Sequence, residues 1–287
     1  MNDDTILRIR IDLAYDGTSY HGWATQPGLP TVQETVEAGL ATIFRLPVAV
    51  TVAGRTDAGV HAANQVIHFD IAKHRWHKLV GNAADRRPEE AMVAKLNGVL
   101  AKESGAIRIL SAQQTVREFD ARFSPLSRRY RYRINIGTPD PLTRHFTYHH
   151  RKPVEAGRMA TEVQGLTGLH DFGAFCKPRP GSTTIRTLHN FELETIGDLV
   201  IVHLAADAFC HHMVRDLVGA LLQVGDGTRP PGWLRDRLFH PVRDSNMVLA
   251  PAHGLILHGV DYPDEDALGQ RARQTRAKRD EQRFGHD

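Results

Sequence analysis

The chain has 287 residues, of which 41% are apolar and 24% charged, the balance of a globular protein rather than of a disordered or fibrous one. No apolar run approaches the roughly 20 residues that span a membrane, and the first dozen residues lack the apolar core of a signal peptide. The two cysteines, Cys176 and Cys210, are too few for a disulfide framework or a four-cysteine zinc site. These features predict a cytoplasmic protein without a membrane partner.

Hydrophobic periodicity and turn residues predict the order β-α-β-β-α-β for the first half of the chain. Thr31 and Glu34 have the spacing of a capping box, which places a helix start there. The predicted elements are a strand at 6–14, a helix from Thr31 to about 46, strands at 48–52 and 65–71, a helix at 88–100 and a strand at 106–110.

The second half repeats this order. Its predicted elements are a strand at 129–136, a helix at 153–166, strands at 186–195 and 199–206, a helix at 209–224, a short helix at 233–239 and a strand at 255–260. Two tandem ferredoxin-like halves predict an α+β protein with mainly antiparallel sheets and a central cleft. We expect domains at residues 1–115 and 116–263, followed by a charged tail at 264–287 that is disordered or helical.

Basic residues concentrate in the middle of the chain, although the net charge is only +3. Residues 117–158 hold ten arginines or lysines against four acids, and arginine outnumbers lysine. The alternation of RYRYRINI predicts a strand with basic residues along one face. Such a run is either a solvated face or a surface for phosphates, which suit the planar guanidinium group. Arg128 and Arg129 are therefore candidate RNA-binding residues.

Residues 53–62, AGRTDAGVHA, place one carboxylate, Asp57, in a short loop of glycines and alanines after a predicted strand. Glycines on both sides indicate unusual backbone angles or a close approach to the backbone. One interpretation is a tight turn in which Asp57 caps its own backbone. The other is a functional carboxylate beside Arg55, which would favour its ionised form.

Several kinds of chemistry can be set aside for this loop. Metal-dependent phosphoryl transfer needs several converging carboxylates, and the nearest acid in sequence is Asp70. His211 and His212, if helical, would point about 100° apart and chelate one ion poorly. The sequence has neither a Walker-type loop nor a GxGxxG motif. A single carboxylate that acts as nucleophile or base remains, and it is suited to attack on a sugar carbon.

An aromatic side chain that holds a base would complete a nucleotide site. Tyr130 and Tyr132 are candidates because they lie on the arginine-rich strand, with core packing as the alternative.

The loop AGRTDAGVHA resembles the catalytic segment of the tRNA pseudouridine synthase A family, of bacterial type. The resemblance extends along nearly the whole chain, in order. It includes YDGTSYHGW from Tyr15, QVIHFD after the loop, RFSPLSRRYRY from Arg122, AFCHHMVRDLVG from Ala208, and DYP from Asp261.

The resemblance implies the pseudouridine synthase fold and an isomerase, an intramolecular transferase that converts uridine to pseudouridine at positions 38, 39 and 40 of the anticodon stem-loop of tRNA. It implies that Asp57 is the catalytic aspartate and that Arg55 helps to flip the target base out. Tyr130 would stack on that base, and Arg215 would pair with Asp57. It further implies a homodimer in which one tRNA contacts both subunits, with no cofactor and no catalytic metal.

Two other functions compete with this one. A non-catalytic RNA-binding protein would explain the arginines and the aromatic residues but leaves Asp57 without a purpose. A hydrolase or glycosylase would use Asp57 on a nucleoside and release the free base.

Overall fold

A computed structural model describes residues 5–81, 85–103, 105–178, 183–241 and 246–276. They form two compact units. The first contains the described residues up to Leu126 together with Leu257–Arg276, and the second contains those of Ser127–Ile256.

The elements up to residue 115 are β1 (Ile6–Tyr15), α1 (Val32–Phe44), β2 (Thr51–Val52), β3 (His61–Ala72), α2 (Lys73–His77), α3 (Pro88–Leu100) and β4 (Ile107–Thr115). The later elements are β5 (Ser127–Asn135), β6 (Tyr148–His149), α4 (Ala156–Glu162), β7 (Gly168–Asp171), β8 (Ile185–Ile196), β9 (Leu199–Ala206), α5 (Met213–Gly225), α6 (Trp233–Phe239), β10 (Leu255–Asp261) and α7 (Leu268–Arg276).

The sheet of the first unit has the order β4-β1-β3, with β2 paired to β3 and each of these pairs antiparallel. The predicted β-α-β-β-α-β order is confirmed, and α2 is an addition within the basic stretch 73–87, of which 82–84 lie outside the described residues. Helix α1 begins after Thr31, whose hydroxyl accepts a hydrogen bond from the Glu34 amide.

The core of the first unit follows from the alternation in β1. Ile9, Ile11 and Leu13 are fully buried on one face of β1, and Leu40 of α1 and Leu96 of α3 are fully buried as well. Each such side chain contributes about 1.5–3 kcal/mol on leaving water. The apolar face of β1 therefore fixes its register beside β3 and sets where the loop before β3 begins.

Of the predicted tail, residues 268–276 are helical: they form α7, which belongs to the first unit. Leu268 and Ala272 are buried, and Arg271 Nε donates to the carbonyl oxygen of Pro125 at 3.0 Å. Residues 277–287 of that tail lie outside the described residues.

The second unit has the strand order β5-β9-β8-β7 with antiparallel pairs, and β6 adds a short parallel pair to β5. Each strand and each helix predicted for the second half of the chain is confirmed as a strand or a helix. Three local differences appear: β6 and β7 are additional, α4 is shorter than the predicted helix at 153–166, and α5 begins at Met213 rather than at 209.

His212 explains the late start of α5. Its φ of 71° is left-handed, which a helix cannot continue through, so His211 and His212 lie before the helix and not on it. The two ring centroids lie 4.0 Å apart. The helical placement that the sequence predicted for both histidines was therefore wrong.

The cysteine count predicted no disulfide framework, and the structure contains a single bridge between Cys176 and Cys210, whose Cα atoms lie 5.7 Å apart. Among the described residues, no helix is both long enough and apolar enough to cross a bilayer.

Candidate active site

The candidate catalytic loop lies in the first unit between β2 and β3, where Asp57 begins a tight turn. The amide of Val60 donates to the Asp57 carbonyl oxygen at 3.2 Å, and Gly59 has a φ of 75°. A side chain at position 59 would be strained at that angle, so the turn requires glycine. Within the loop Arg55 is exposed, Thr56 is buried and Asp57 is half-buried.

Three buried polar groups hold the backbone that precedes Asp57. Gln65 Nε2 donates to the carbonyl oxygen of Gly54 at 2.7 Å and to the Tyr15 hydroxyl at 3.3 Å. The Tyr15 hydroxyl lies 2.8 Å from Thr56 Oγ1. Because the Tyr15 oxygen accepts from Gln65, its own proton is available to Thr56. Burial raises the pKa of Tyr15 to about 12, so that proton stays in place near neutral pH.

The segment from Tyr15 to Trp23 packs against the loop through backbone contacts. Trp23 donates its amide to the carbonyl oxygen of Thr56 at 3.0 Å, and Gly59 donates to Tyr20 at 3.2 Å. A Cβ at Gly22 would lie 2.8 Å from the Thr56 oxygen and 3.1 Å from the Asp57 carbonyl carbon. These two segments therefore form one packed unit, which we call the loop clamp: residues 15–23 against residues 53–60.

Sequence reasoning missed the clamp, although it noted the glycines of the loop. The relevant signals were Gly17 and Gly22, which interrupt an aromatic segment outside the loop. A Cβ at Gly17 would lie 2.1 Å from the Val60 oxygen, so both glycines are required by backbone contact. Gln65, a fully buried amide in an apolar strand, was a further signal.

In the second unit, Arg128 and Tyr130 lie on the buried face of β5. Arg128 Nη1 donates to the carbonyl oxygen of Asp207 at 2.7 Å. The Tyr130 ring meets the Phe209 ring edge-on, with centroids 5.1 Å apart and planes at 89°. Tyr132 is fully buried, and its hydroxyl donates to Pro251 at 2.7 Å, so core packing is the outcome for this second candidate.

Arg129 and Arg215 have different surroundings. Arg129 is exposed, on the face of β5 opposite to Tyr130. Arg215 is half-buried in the first turn of α5, and its Nε donates to the carbonyl oxygen of Ala250 at 2.7 Å. The Ala250 amide in turn donates to the Arg215 carbonyl oxygen at 3.1 Å. The two hydrogen bonds together hold the backbone at Ala250 against the start of α5.

The six predicted site residues thus fall into two groups. Arg55 and Asp57 share one loop of the first unit. Arg128, Arg129, Tyr130 and Arg215 belong to the second unit, where segment 207–209 contacts both Arg128 and Tyr130.

The chain is similar to known proteins along nearly its whole length. Residues 163–263 match the family model described as tRNA pseudouridine synthase. A tRNA pseudouridine synthase A from Frankia casuarinae is 46% identical over 280 residues, which cover 96% of this chain and 97% of the relative. The chain belongs to the tRNA pseudouridine synthase A family.

Two further members of the tRNA pseudouridine synthase A family show the same extent of similarity. Those of Leifsonia xyli and Corynebacterium glutamicum are 45% and 44% identical, each over 96% of this chain and over 99% and 96% of their own lengths. Membership establishes the pseudouridine synthase fold and makes the protein an isomerase that forms pseudouridine.

Proposed function

We propose that the protein converts uridine to pseudouridine in the anticodon stem-loop of tRNA, at positions 38, 39 and 40, with Asp57 as its catalytic residue. The observation that carries the tRNA substrate is the 42–46% identity to synthases of that name over nearly the full chain. The stem-loop positions rest on the motif resemblance. A cytoplasmic location follows from the substrate, and a homodimer that shares one tRNA belongs to the same proposal.

The loop clamp supports the choice of Asp57. A carboxylate that must meet one atom of a flipped nucleotide needs a fixed backbone, since small displacements cost large factors in rate. Asp57 follows Thr56, whose hydroxyl and carbonyl oxygen are both hydrogen-bonded, and it begins the turn that requires Gly59. A turn that is simply exposed to solvent would not require the buried side chains of Tyr15 and Gln65 as hydrogen-bond partners.

The proposed reaction begins when the uridine leaves the base stack, because its C1′ is shielded inside a stem. Arg55 occupies the vacated position or holds the displaced phosphate, and Tyr130 stacks on the flipped base. Arg128 and Arg129 contribute to RNA binding, Arg128 through the segment it anchors at Asp207 and Arg129 from its exposed face. Arg215 is the basic partner of Asp57 in this proposal.

Asp57 then attacks C1′ or removes the C2′ proton, and either route breaks the N1–C1′ bond. The uracil rotates and rejoins C1′ through C5, which displaces Asp57 from C1′ in the first route and is accompanied by return of the proton to C2′ in the second. The C5 proton is lost, N1 gains a proton, and the atoms of the nucleotide are conserved. This proposal needs neither a cofactor nor a metal.

Release of tritium from tRNA that carries [5-³H]uridine tests the proposal, because the C5 hydrogen leaves in the last step. We expect Asp57→Asn to fall below about one thousandth of the parent rate while it still binds tRNA. Asp85→Asn is a matched control, because Asp85 is an exposed acid of the same unit, and it should keep the parent rate.

Three results would contradict the proposal in different ways. Parent-like release by a correctly folded Asp57→Asn removes Asp57 from the reaction. Binding of tRNA by the parent protein without tritium release favours the RNA-binding protein. Free uracil and an abasic product favour the glycosylase.

A further inference from the structure

The second unit contains a basic cavity of about 540 Å³ beyond the end of β5. It lies apart from Tyr130, since Asn135 on its rim is five residues further along the strand, or about 16 Å. Six basic side chains line the cavity: Arg144, His149, His150, Arg151, Lys152 and His253. Asp140 is the one acid among its lining residues, so the cavity favours anions.

The walls of the cavity are fixed by backbone pairing. Strand β6 pairs with β5 through Ile134 and Tyr148, and the His150 amide donates to the Asn135 oxygen at 2.9 Å. The Gly137 amide donates to Asn135 Oδ1 at 2.8 Å, which closes the turn at the rim. The basic residues that follow β6 are therefore held on an ordered strand end.

A buried carboxylate orients two of the basic groups. Asp226, whose side chain is 4% exposed, lies 3.2 Å from both His150 Nε2 and Lys152 Nζ. Burial acts to raise the pKa of Asp226, but hydrogen bonds from Thr228 and Lys152 outweigh it and lower the pKa. Asp226 thus stays ionised and restrains Lys152, as a residue that supports a binding site does.

Aromatic rings form the remaining wall. The Tyr148 ring lies edge-on to His253 and His150, with centroids 6.0 and 5.9 Å away. Flat rings beside cations match a nucleotide, whose phosphate needs the cations and whose base or sugar packs on the rings. The volume lies within the 300–1,000 Å³ usual for such ligands.

We infer that this cavity binds a backbone phosphate of the substrate RNA, several nucleotides away from the base that stacks on Tyr130. The inference rests on the proposed function, because it takes tRNA as the ligand. Arg144 and Arg151 are the cations best placed to meet the phosphate: both are exposed, whereas Lys152 is already paired with Asp226.

The test compares two double variants of equal charge. Arg144→Gln/Arg151→Gln removes two cations of the cavity. Arg158→Gln/Arg235→Gln is the control, because both arginines are exposed in the same unit and neither lines the cavity. Arg144 and Arg235 are also matched in contacts, since each donates to a backbone carbonyl oxygen, whereas Arg158 forms an ion pair with Glu155.

The measurement is the binding constant of a tRNA transcript over a range of KCl concentrations. Each lost phosphate contact should reduce the slope of log K against log salt by about 0.7–0.9. We expect a shallower slope and a raised KM for the cavity variant, with kcat at saturating tRNA near the parent value. Equal slopes in the two double variants would overturn the inference.

Titration with inorganic phosphate separates the two sources of this anion. If phosphate binds the parent protein and not the cavity variant while the tRNA slope is unchanged, the site takes free phosphate and the RNA inference is wrong. Failure of the proposed function looks different, since the parent protein would then release no tritium from labelled tRNA.

Discussion

Tyr15→Phe should loosen the candidate catalytic loop without altering Asp57 itself. The substitution keeps the buried ring and removes the hydroxyl that lies between Thr56 Oγ1 and Gln65 Nε2, at 2.8 and 3.3 Å. Thr56 is then left as a buried hydroxyl without that partner, which costs about 1–3 kcal/mol. Gln65 loses less, because it keeps its bond to the Gly54 oxygen.

A companion substitution separates this hydrogen bond from general loss of packing. Thr56→Val removes the other partner, and the double variant leaves neither group unpaired, so it should be less damaged than the sum of the single variants. We expect a coupling free energy of about 1 kcal/mol or more between positions 15 and 56. Effects that add within about 0.5 kcal/mol would refute the coupling.

Two assays should report this change together. The Trp23 amide donates to the Thr56 oxygen, so its native-state hydrogen exchange reports opening of the loop clamp. Turnover by tritium release should fall about tenfold in Tyr15→Phe, because about 1.4 kcal/mol of added barrier is a factor of ten. Faster exchange with unchanged turnover would show that the clamp is structural and does not position Asp57.

Two more changes probe the first unit. Gly22→Ala should lower turnover strongly, and Gly28→Ala should not. Both glycines have positive φ, but only Gly22 lies against the loop backbone, where a Cβ would be 2.8 Å from the Thr56 oxygen. Equal losses in tritium release would exclude this close contact as the cause. Burial, with the nearby charge of Arg8, lowers the pKa of His68 to about 4 from an ordinary value of 6.5. As the pH falls, His68 is protonated in the unfolded chain at a higher pH than in the folded protein. The free energy of unfolding should therefore be unaffected by His68 above about pH 6.5 and should fall by up to about 3 kcal/mol as the pH drops to 4. Urea unfolding should give a flatter pH dependence for His68→Asn, which keeps an acceptor for the Ala121 amide, and parallel curves would contradict this origin.

The strongest elements were predictable because their signals are local. Helix α3 begins at Pro88 and ends at Leu100 as predicted, and β9 and α6 also have the predicted bounds. Proline in a first turn and a short apolar run are signals that lie within a few residues, so they can be read without knowledge of tertiary contacts.

The missed elements depend on partners distant in the chain. Strand β6 has two residues and β7 has four, too few for a periodic pattern, and each exists because β5 or β8 supplies hydrogen bonds. The loop clamp has the same origin. AGRTDAGVHA made Asp57 a candidate site residue, but the contact of Gly22 with that loop is set by the fold and leaves no local trace beyond the glycine itself.

The loop clamp also determines what could be transplanted between proteins. The ten residues of the loop contain the proposed catalytic residue, Asp57, and their shape is held by hydrogen bonds to Tyr15, Tyr20, Trp23 and Gln65. A graft of the loop alone would leave the Thr56 carbonyl and hydroxyl without partners. The smallest portable unit is therefore a pair of segments, 15–23 and 53–65, and substitutions in one are expected to be tolerated only alongside changes in the other.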